Sequence, residues 1–386
     1  MTEAFGANIE EWAAALCALA ALLGVAYLFL ASFLLLRFQR RRHESDAAHP
    51  QPVSILVPLC GEDEQLYARL SALCRQLYAA PIQLVCGVSD SRDPAIDIVR
   101  RIGAAFPDVA VDLQIDPKQY GCNRKISNLI NMARLARHDI FVIVDSDILV
   151  GPTYLAEVVA ELQKPSVGVV TCLYHGTSGC GLWSSLSALG INAHFLPGVV
   201  TALAFGMARP CFGATIALSR SMLERIGGLR AFADWLHDDY AIGATVRAAG
   251  YDVAIPNFSI GHVCRERTAR DLILNQIRSA RTIKMIDPVG YAGSVITHPT
   301  ALAAIAWLCG ATYGFPLLLL ALGGRLVFCL AVERAFALPR QAYWLLPFRE
   351  LLSFTIFVVS FFGASVSWRG ERYRLKPDGR LVHDMK

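Results

Sequence analysis

The sequence predicts a membrane-anchored α/β protein, in which a mostly parallel sheet is covered by helices on both faces. Three observations carry this. Residues 12–36 (WAAALCALAALLGVAYLFLASFLLL) contain no charged side chain and exceed the roughly 20 residues needed to cross a bilayer. From residue 53 to 144, short apolar runs rich in Val and Ile alternate with segments of helical periodicity. Aspartates recur where those runs end, as in VSDSRDP and VDSDI.

The membrane segments come first in the chain. With 54% hydrophobic residues and a mean hydropathy of +0.42, the protein is too apolar for an ordinary soluble chain. A cleaved signal peptide competes for residues 12–36, but the stretch before them is acidic and the run outlasts a typical signal h-region. The basic flank RFQRRRH follows, and the positive-inside rule keeps it in the cytoplasm. Apolar character returns at 299–332, broken by Pro316 and the pair Gly323 and Gly324, and at 343–366, interrupted by Arg349 and Glu350. Length permits two or three spans there, and the basic tail SWRGERYRLKPDGR favours two by parity. The expected organisation is an anchor and basic flank over 1–43, a cytoplasmic domain over 44–288, and a membrane region with its tail over 289–386. A net charge of only +4, with basic residues beside the membrane segments, suits anionic headgroups and not nucleic acid. Eleven cysteines without a C-x-x-C pair read as reduced thiols.

Within the soluble segment, PVSILVPLCG reads as a strand and EDEQLYARLSALCRQL as the helix after it. IQLVCGVSDSRDP repeats the pattern, with Asp90 and Asp93 beside Pro94 before the helical AIDIVRRIGAAF. VAVDLQI is a third strand, leading through the polar loop DPKQYGCNRK into ISNLINMARLAR, and DIFVIVDSDI is a fourth. In such sheets ligands bind beyond the carboxyl ends of the strands. Asp90, Asp93, Asp145 and Asp147 all fall at that edge, where carboxylates repel unless a cation sits among them.

A D-x-D pair alone is an ordinary turn signal. Behind a buried strand, Asp145 and Asp147 point to a hard divalent cation, Mg2+ or Mn2+, held by carboxylates and substrate phosphates. Neither a GxxxxGK[ST] loop nor a GxGxxG fingerprint occurs, which removes P-loop hydrolases and dinucleotide enzymes from consideration. In HDDY, Asp238 and Asp239 either cap the following helix or accept a proton from an attacking hydroxyl. Arg278 and Arg281 share a helix face, which is either a solvated basic face or a clamp for a diphosphate leaving group.

In this order, SDSRDPAID, NRKISNL, DSD, GATIALSRSMLERIGGL, HDDYAIG and RSARTIK, with the closing SWRGERYRL, resemble the ceramide glucosyltransferase family of membrane-bound glycosyltransferases. The segment TIKMIDPVGYAGSVITHP resembles the bacterial hopanoid glycosyltransferase branch. The resemblance implies a GT-A type nucleotide-diphosphosugar transferase domain on the cytoplasmic face of the bacterial inner membrane, a UDP-sugar donor and a lipid alcohol acceptor. For the ceramide branch these are UDP-glucose and ceramide; for the hopanoid branch, UDP-N-acetylglucosamine and bacteriohopanetetrol. It also implies roles for residues. Asp90 and Asp93 contact the uridine part of the donor, Lys125 contacts the donor, and Asp145 and Asp147 hold the metal. Asp239 is the general base, with Asp238 where the family has Glu, and Arg278 and Arg281 match the (Q/R)xxRW motif. Thr282 replaces the Trp of that motif, which removes any aromatic stacking there.

Two other readings remain at this stage. A processive polysaccharide synthase shares the donor fold, but keeps the Trp and carries more spans. A catalytically silent scaffold has no use for the metal aspartates and the base together. The apolar stretch 182–208 reads either as the acceptor entrance against the bilayer or as a buried helix pair.

Overall fold

The computed structural model describes residues 2–40, 50–61, 64–207, 209–363, 365–368, 371–375 and 381–383. The basic flank at Arg41, Arg42 and His43, the domain boundary expected beside it, and tail residues 369–370 and 376–380 lie outside the described residues. The chain forms two compact units. One comprises 1–41, 175–208 and 264–372, the other 42–174, 209–263 and 373–386.

The strands are β1 (Val53–Pro58), β2 (Ile82–Val88), β3 (Ala110–Ile115), β4 (Ile140–Val144), β5 (Ile148–Leu149), β6 (Val167–Thr171), β7 (Leu173–Ser178), β8 (Thr215–Ser219), β9 (Asp252–Ala254) and β10 (Ser259–Cys264). A seven-stranded sheet runs β3-β2-β1-β4-β8-β6-β9. The four strands read from the sequence are mutually parallel. β8 enters antiparallel between β4 and β6, a direction that an apolar run cannot encode.

Alternation along each strand explains the two cores. Val53, Ile55 and Val57 of β1, with Leu84, Cys86 and Val88 of β2, point to one face, where Leu66, Leu70, Leu73, Val99 and Ile102 supply helical spacing. Leu56, Val85, Phe141 and Ile143 point to the other, against Ile126, Leu129 and Met132 of the helix Arg124–Met132. Strands buried on both faces lose the polar alternation of a surface strand, hence their continuous Val and Ile. The helix Arg124–Met132 packs close at Gly87, where an added Cβ would meet Asn128 Oδ1 and Met132 Sδ at 2.4 Å. Asn128 Nδ2 donates to Gly87 O at 2.8 Å and fixes that approach.

In the other unit, four helices among the described residues are long and apolar enough to cross a membrane: Glu10–Arg40, Gly181–Ala204, Gly314–Phe336 and Tyr343–Ser360. Ala14, Ala18, Ala21, Gly24, Leu28 and Ala31 line the packed side of the first. Small residues at this spacing let backbones approach closely. A Cβ on Gly24 would lie 2.3 Å from Ile296 O. Leu16, Leu19, Leu23, Phe29 and Phe33 on the opposite side are exposed.

The membrane region differs from its sequence reading in two respects. The apolar stretch 182–208 includes a helix of spanning length, in which a turn of π-helix (Ile191–Phe195) joins Gly181–Gly190 to Leu196–Ala204. The break within 299–332 falls at residues 309–313, between the helices Pro299–Leu308 and Gly314–Phe336. Pro316 lies in the first turn of the second helix, where its missing N–H costs no bond. Gly323 and Gly324 continue that helix, with Gly324 against Val25 and Leu28.

Arg349 and Glu350, which interrupt an apolar block in the sequence, are buried and paired. Glu350 Oε1 lies 2.8 Å from both Arg325 Nε and His194 Nε2. Arg325, with no exposed surface, also donates to Ala193 O and Thr297 O, each at 2.6 Å. Arg349 donates to Ser353 Oγ at 2.9 Å, Leu186 O at 3.1 Å and Gln276 Oε1 at 2.8 Å. Two arginines thus hold one carbonyl within the π-turn, that of Ala193, and one in the helical segment before it, that of Leu186.

Candidate functional site

Asp145 follows β4 directly, as expected. The turn that carries it is fixed on three sides. Ile148 N donates to Asp145 O at 3.2 Å, Asp145 N donates to Ala214 O at 3.4 Å, and the buried Arg69 donates through Nε to Ser146 O at 2.7 Å. The D-x-D loop is therefore built by an arginine from the helix Leu66–Cys74 and by the approach to β8.

Lys125 gathers the acids. Its Nζ lies 2.6 Å from Asp145 Oδ1 and 3.8 Å from Asp238 Oδ2, and it donates to Gly213 O at 3.4 Å. Asp239 Oδ2 accepts from Gly213 N at 2.8 Å, and its Oδ1 accepts from Tyr240 N at 2.8 Å. Burial raises the carboxyl pKa values of Asp145, Asp238 and Asp239, and the Lys125 ammonium opposes that rise in each. Burial also works against the ammonium, but Asp145 and Asp238 outweigh it, so the Lys125 pKa is raised. One cation thus pairs with two carboxylates, Asp145 and Asp238, and its charge also acts on the third, Asp239.

Asp147 turns to a different partner. His262 on β10 brings Nδ1 to 3.6 Å from Asp147 Oδ1. The pairing of β10 with β5 sets His262 opposite Ile148, and Val263 N donates to Asp147 O at 2.9 Å. Tyr174 leans on the imidazole with ring centroids 5.7 Å apart. No group of three or more His, Cys, Asp or Glu side chains poised to hold a metal ion occurs among the described residues. The chemistry of the side chains suits a hard divalent ion, since Asp145 and Asp147 offer carboxylate oxygens and His262 a nitrogen beside Asp147, although the three are not gathered as one ligand set. The remaining positions of such an ion are ordinarily filled by water and substrate phosphate oxygens.

Asp90 and Asp93 stand after β2 in a separate set of bonds. Asp93 accepts from Gly61 N and Ala95 N, each at 2.9 Å, tying the loops after β1 and β2 together. Asp90 is exposed and accepts from Arg92 N at 2.9 Å, which holds its carboxyl below the usual value. Arg278 and Arg281 lie on the helix Ala269–Ile286 of the unit that contains the spanning helices. There Arg278 donates to Asn275 Oδ1 at 3.0 Å and Arg281 to Phe362 O.

Sequence reasoning missed Arg69, Asn123, Gly213 and His262. Only Asn123 left a readable trace, as an N-cap residue before a helix. A lone histidine in SIGHVC and an arginine on an apolar helix carry no such mark.

The glycosyl transferase family 21 model matches residues 16–381. Ceramide glucosyltransferase 1 of Caenorhabditis elegans is 21% identical over 356 residues, 85% of this chain and 72% of that protein. Ceramide glucosyltransferase 3 of the same organism is 22% identical over 355 residues, 86% of this chain and 74% of that one. Among solved structures, the mannosyltransferase PcManGT from Pyrobaculum calidifontis, in complex with GDP-Man and Mn2+, superposes with a TM-score of 0.51. It is 22% identical, and the match covers 90% of this chain and 99% of that one.

Proposed function

Because the chain belongs to glycosyltransferase family 21 and has the GT-A type fold, we propose that it transfers a sugar from a UDP-sugar to a lipid alcohol with inversion at the anomeric carbon. The observation that carries this reading is the juxtaposition of Asp145, Lys125, Asp238 and Asp239 at the end of β4. The curated relatives are ceramide glucosyltransferases, and four helices of spanning length suit an acceptor that resides in the bilayer. TIKMIDPVGYAGSVITHP favours N-acetylglucosamine as the sugar and bacteriohopanetetrol as the acceptor. Glucose transfer to ceramide is the second reading, and those relatives favour it.

Asp239 takes the proton from the attacking hydroxyl as the new bond forms; one displacement requires one base. Gly213 N and Tyr240 N hold one oxygen each of its carboxylate and so fix its orientation. Lys125 neutralises Asp145 and contacts the donor, while Asp90 and Asp93 contact the uridine side. Arg278 and Arg281 balance charge on the departing diphosphate. Asp145 and Asp147 would hold the divalent cation, with His262 beside Asp147 as a further donor, and that cation would supply Lewis-acid stabilisation of the leaving group. The imidazole nitrogen favours Mn2+ over Mg2+.

The test is to incubate the purified protein in lipid with each UDP-sugar, Mn2+ and either acceptor, and to identify the glycolipid by mass spectrometry. Product with ceramide alone would reject the hopanoid assignment. Asp239→Asn is expected to retain Mn2+-dependent UDP binding and to lose about 10²- to 10⁴-fold in kcat. His262→Ala is expected to weaken Mn2+ binding in the same titration. Near-normal turnover by Asp239→Asn removes the base assignment, and unchanged Mn2+ affinity in His262→Ala removes the third ligand.

A further inference from the structure

Lys125 and Asp239 both serve the mechanism above, yet they lie on different segments. The loop before Lys125 and the segment before Asp239 are stitched together by four hydrogen bonds. Asn123 N donates to Ala233 O at 2.7 Å, and Cys122 N donates to Asp234 Oδ1 at 2.9 Å. The Asn123 side chain makes the other two, donating through Nδ2 to Trp235 O at 2.8 Å and to Asp238 Oδ1 at 3.2 Å. Its Oδ1 meanwhile accepts from Ile126 N at 3.1 Å and caps the helix that carries Lys125. The side chain is fully buried. Gly121 brings the two segments into contact, since a Cβ there would lie 2.5 Å from Ala233 O.

We propose that Asn123 is a positioning residue, whose amide bridge to Asp238 and Trp235 fixes the Lys125 ammonium relative to the Asp239 carboxylate. The role rests on the transferase reading given above. Asparagine is suited to it because one side chain must accept at the helix N-terminus and donate across the loop. Serine can cap but is too short to bridge. Aspartate can cap, but it presents an acceptor to Asp238 and Trp235 O, where only a donor fits. A lateral shift of about 1 Å at a reacting group costs about 10²-fold in rate, so the bridge affects turnover more than donor affinity.

Three variants separate bridging from capping: Asn123→Ser, Asn123→Asp, and Asn123→Asp combined with Asp238→Asn. The last conserves total charge and restores a donor and acceptor pair. The two single variants are expected to keep KM for the UDP-sugar within about threefold and to lose about 10²-fold in kcat. The double variant is expected to regain about tenfold in kcat over Asn123→Asp. A second readout is independent of turnover: acylation of the Lys125 amine by a succinimidyl ester, read by peptide mass spectrometry, should be several-fold faster in Asn123→Ser. Wild-type kcat and labelling in Asn123→Ser would overturn the proposal and leave a helix cap. So would equal losses in kcat and KM with no recovery in the double variant. If the wild-type protein transfers no sugar to lipid, the transferase reading fails by itself, and the labelling still decides whether Asn123 places Lys125.

Discussion

At Lys125 two effects oppose each other. Burial penalises the ammonium, while Asp145, Asp238 and Asp239 around it favour the charge, and the acids win. The same pairing works on Asp239 from the other side. Burial raises its carboxyl above the ordinary 3.8, and Lys125 restrains the rise. A base must be ionised to act, so the acid limb of kcat is expected above the ordinary carboxylate range. Lys125→Met removes the restraint and should move the limb of the residual activity to still higher pH, as a kcat profile at saturating donor and Mn2+ would show. The three acids interact, so the limb belongs to the cluster as a whole. An unmoved limb in Lys125→Met would place the proton acceptor outside it. None of this charge balance is visible in NRK or HDDY taken singly, because each motif leaves its partner unspecified.

Among the elements, the helix with the π-turn depends on its neighbours for more than apolar packing. Arg325 and Arg349 bind carbonyls that flank or belong to the turn, and Glu350 compensates Arg325. Removing one partner of a buried ion pair strands the other charge and costs about 3–5 kcal/mol, whereas replacing both with apolar residues of similar size is often neutral. Glu350→Gln should therefore lower the thermal midpoint clearly, and Arg325→Met combined with Glu350→Leu should recover part of the loss. A double variant no better than the single would show that the Arg325 bonds to Ala193 O and Thr297 O dominate. The sequence displayed Arg349 and Glu350 only as interruptions. Their partners His194, Arg325 and Gln276 lie far along the chain, and no periodicity links them.

For the whole molecule, orientation is the open consequence of the charge distribution. By the positive-inside rule, the segment after the first spanning helix is expected on the cytoplasmic side. Cys60, exposed just after β1, should therefore escape an impermeant maleimide in intact cells and react in inverted membrane vesicles. Labelling of Cys60 in intact cells would reverse the topology. How far the sequence discloses the fold follows the same division between local and distant information. β1, β2 and β4 were legible because each is buried on both faces and so writes a continuous apolar run, and the D-x-D turn was legible because it ends one; β3, the half-buried edge strand, instead alternates apolar residues with Asp112 and Gln114. The antiparallel course of β8 was not, since strand direction is decided by partners. The same holds for His262, which reaches Asp147 only through the pairing of β10 with β5.

The antiparallel insertion of β8 also bears on how the protein is made. Until residues 215–219 leave the ribosome, one edge of β4 has no neighbour, and an unpaired edge is a template for joining other chains. The first spanning helix precedes the sheet, so nascent copies share a two-dimensional surface while that edge is open. In that interval the open edge of β4 is where strand exchange between neighbouring chains on the same membrane would begin.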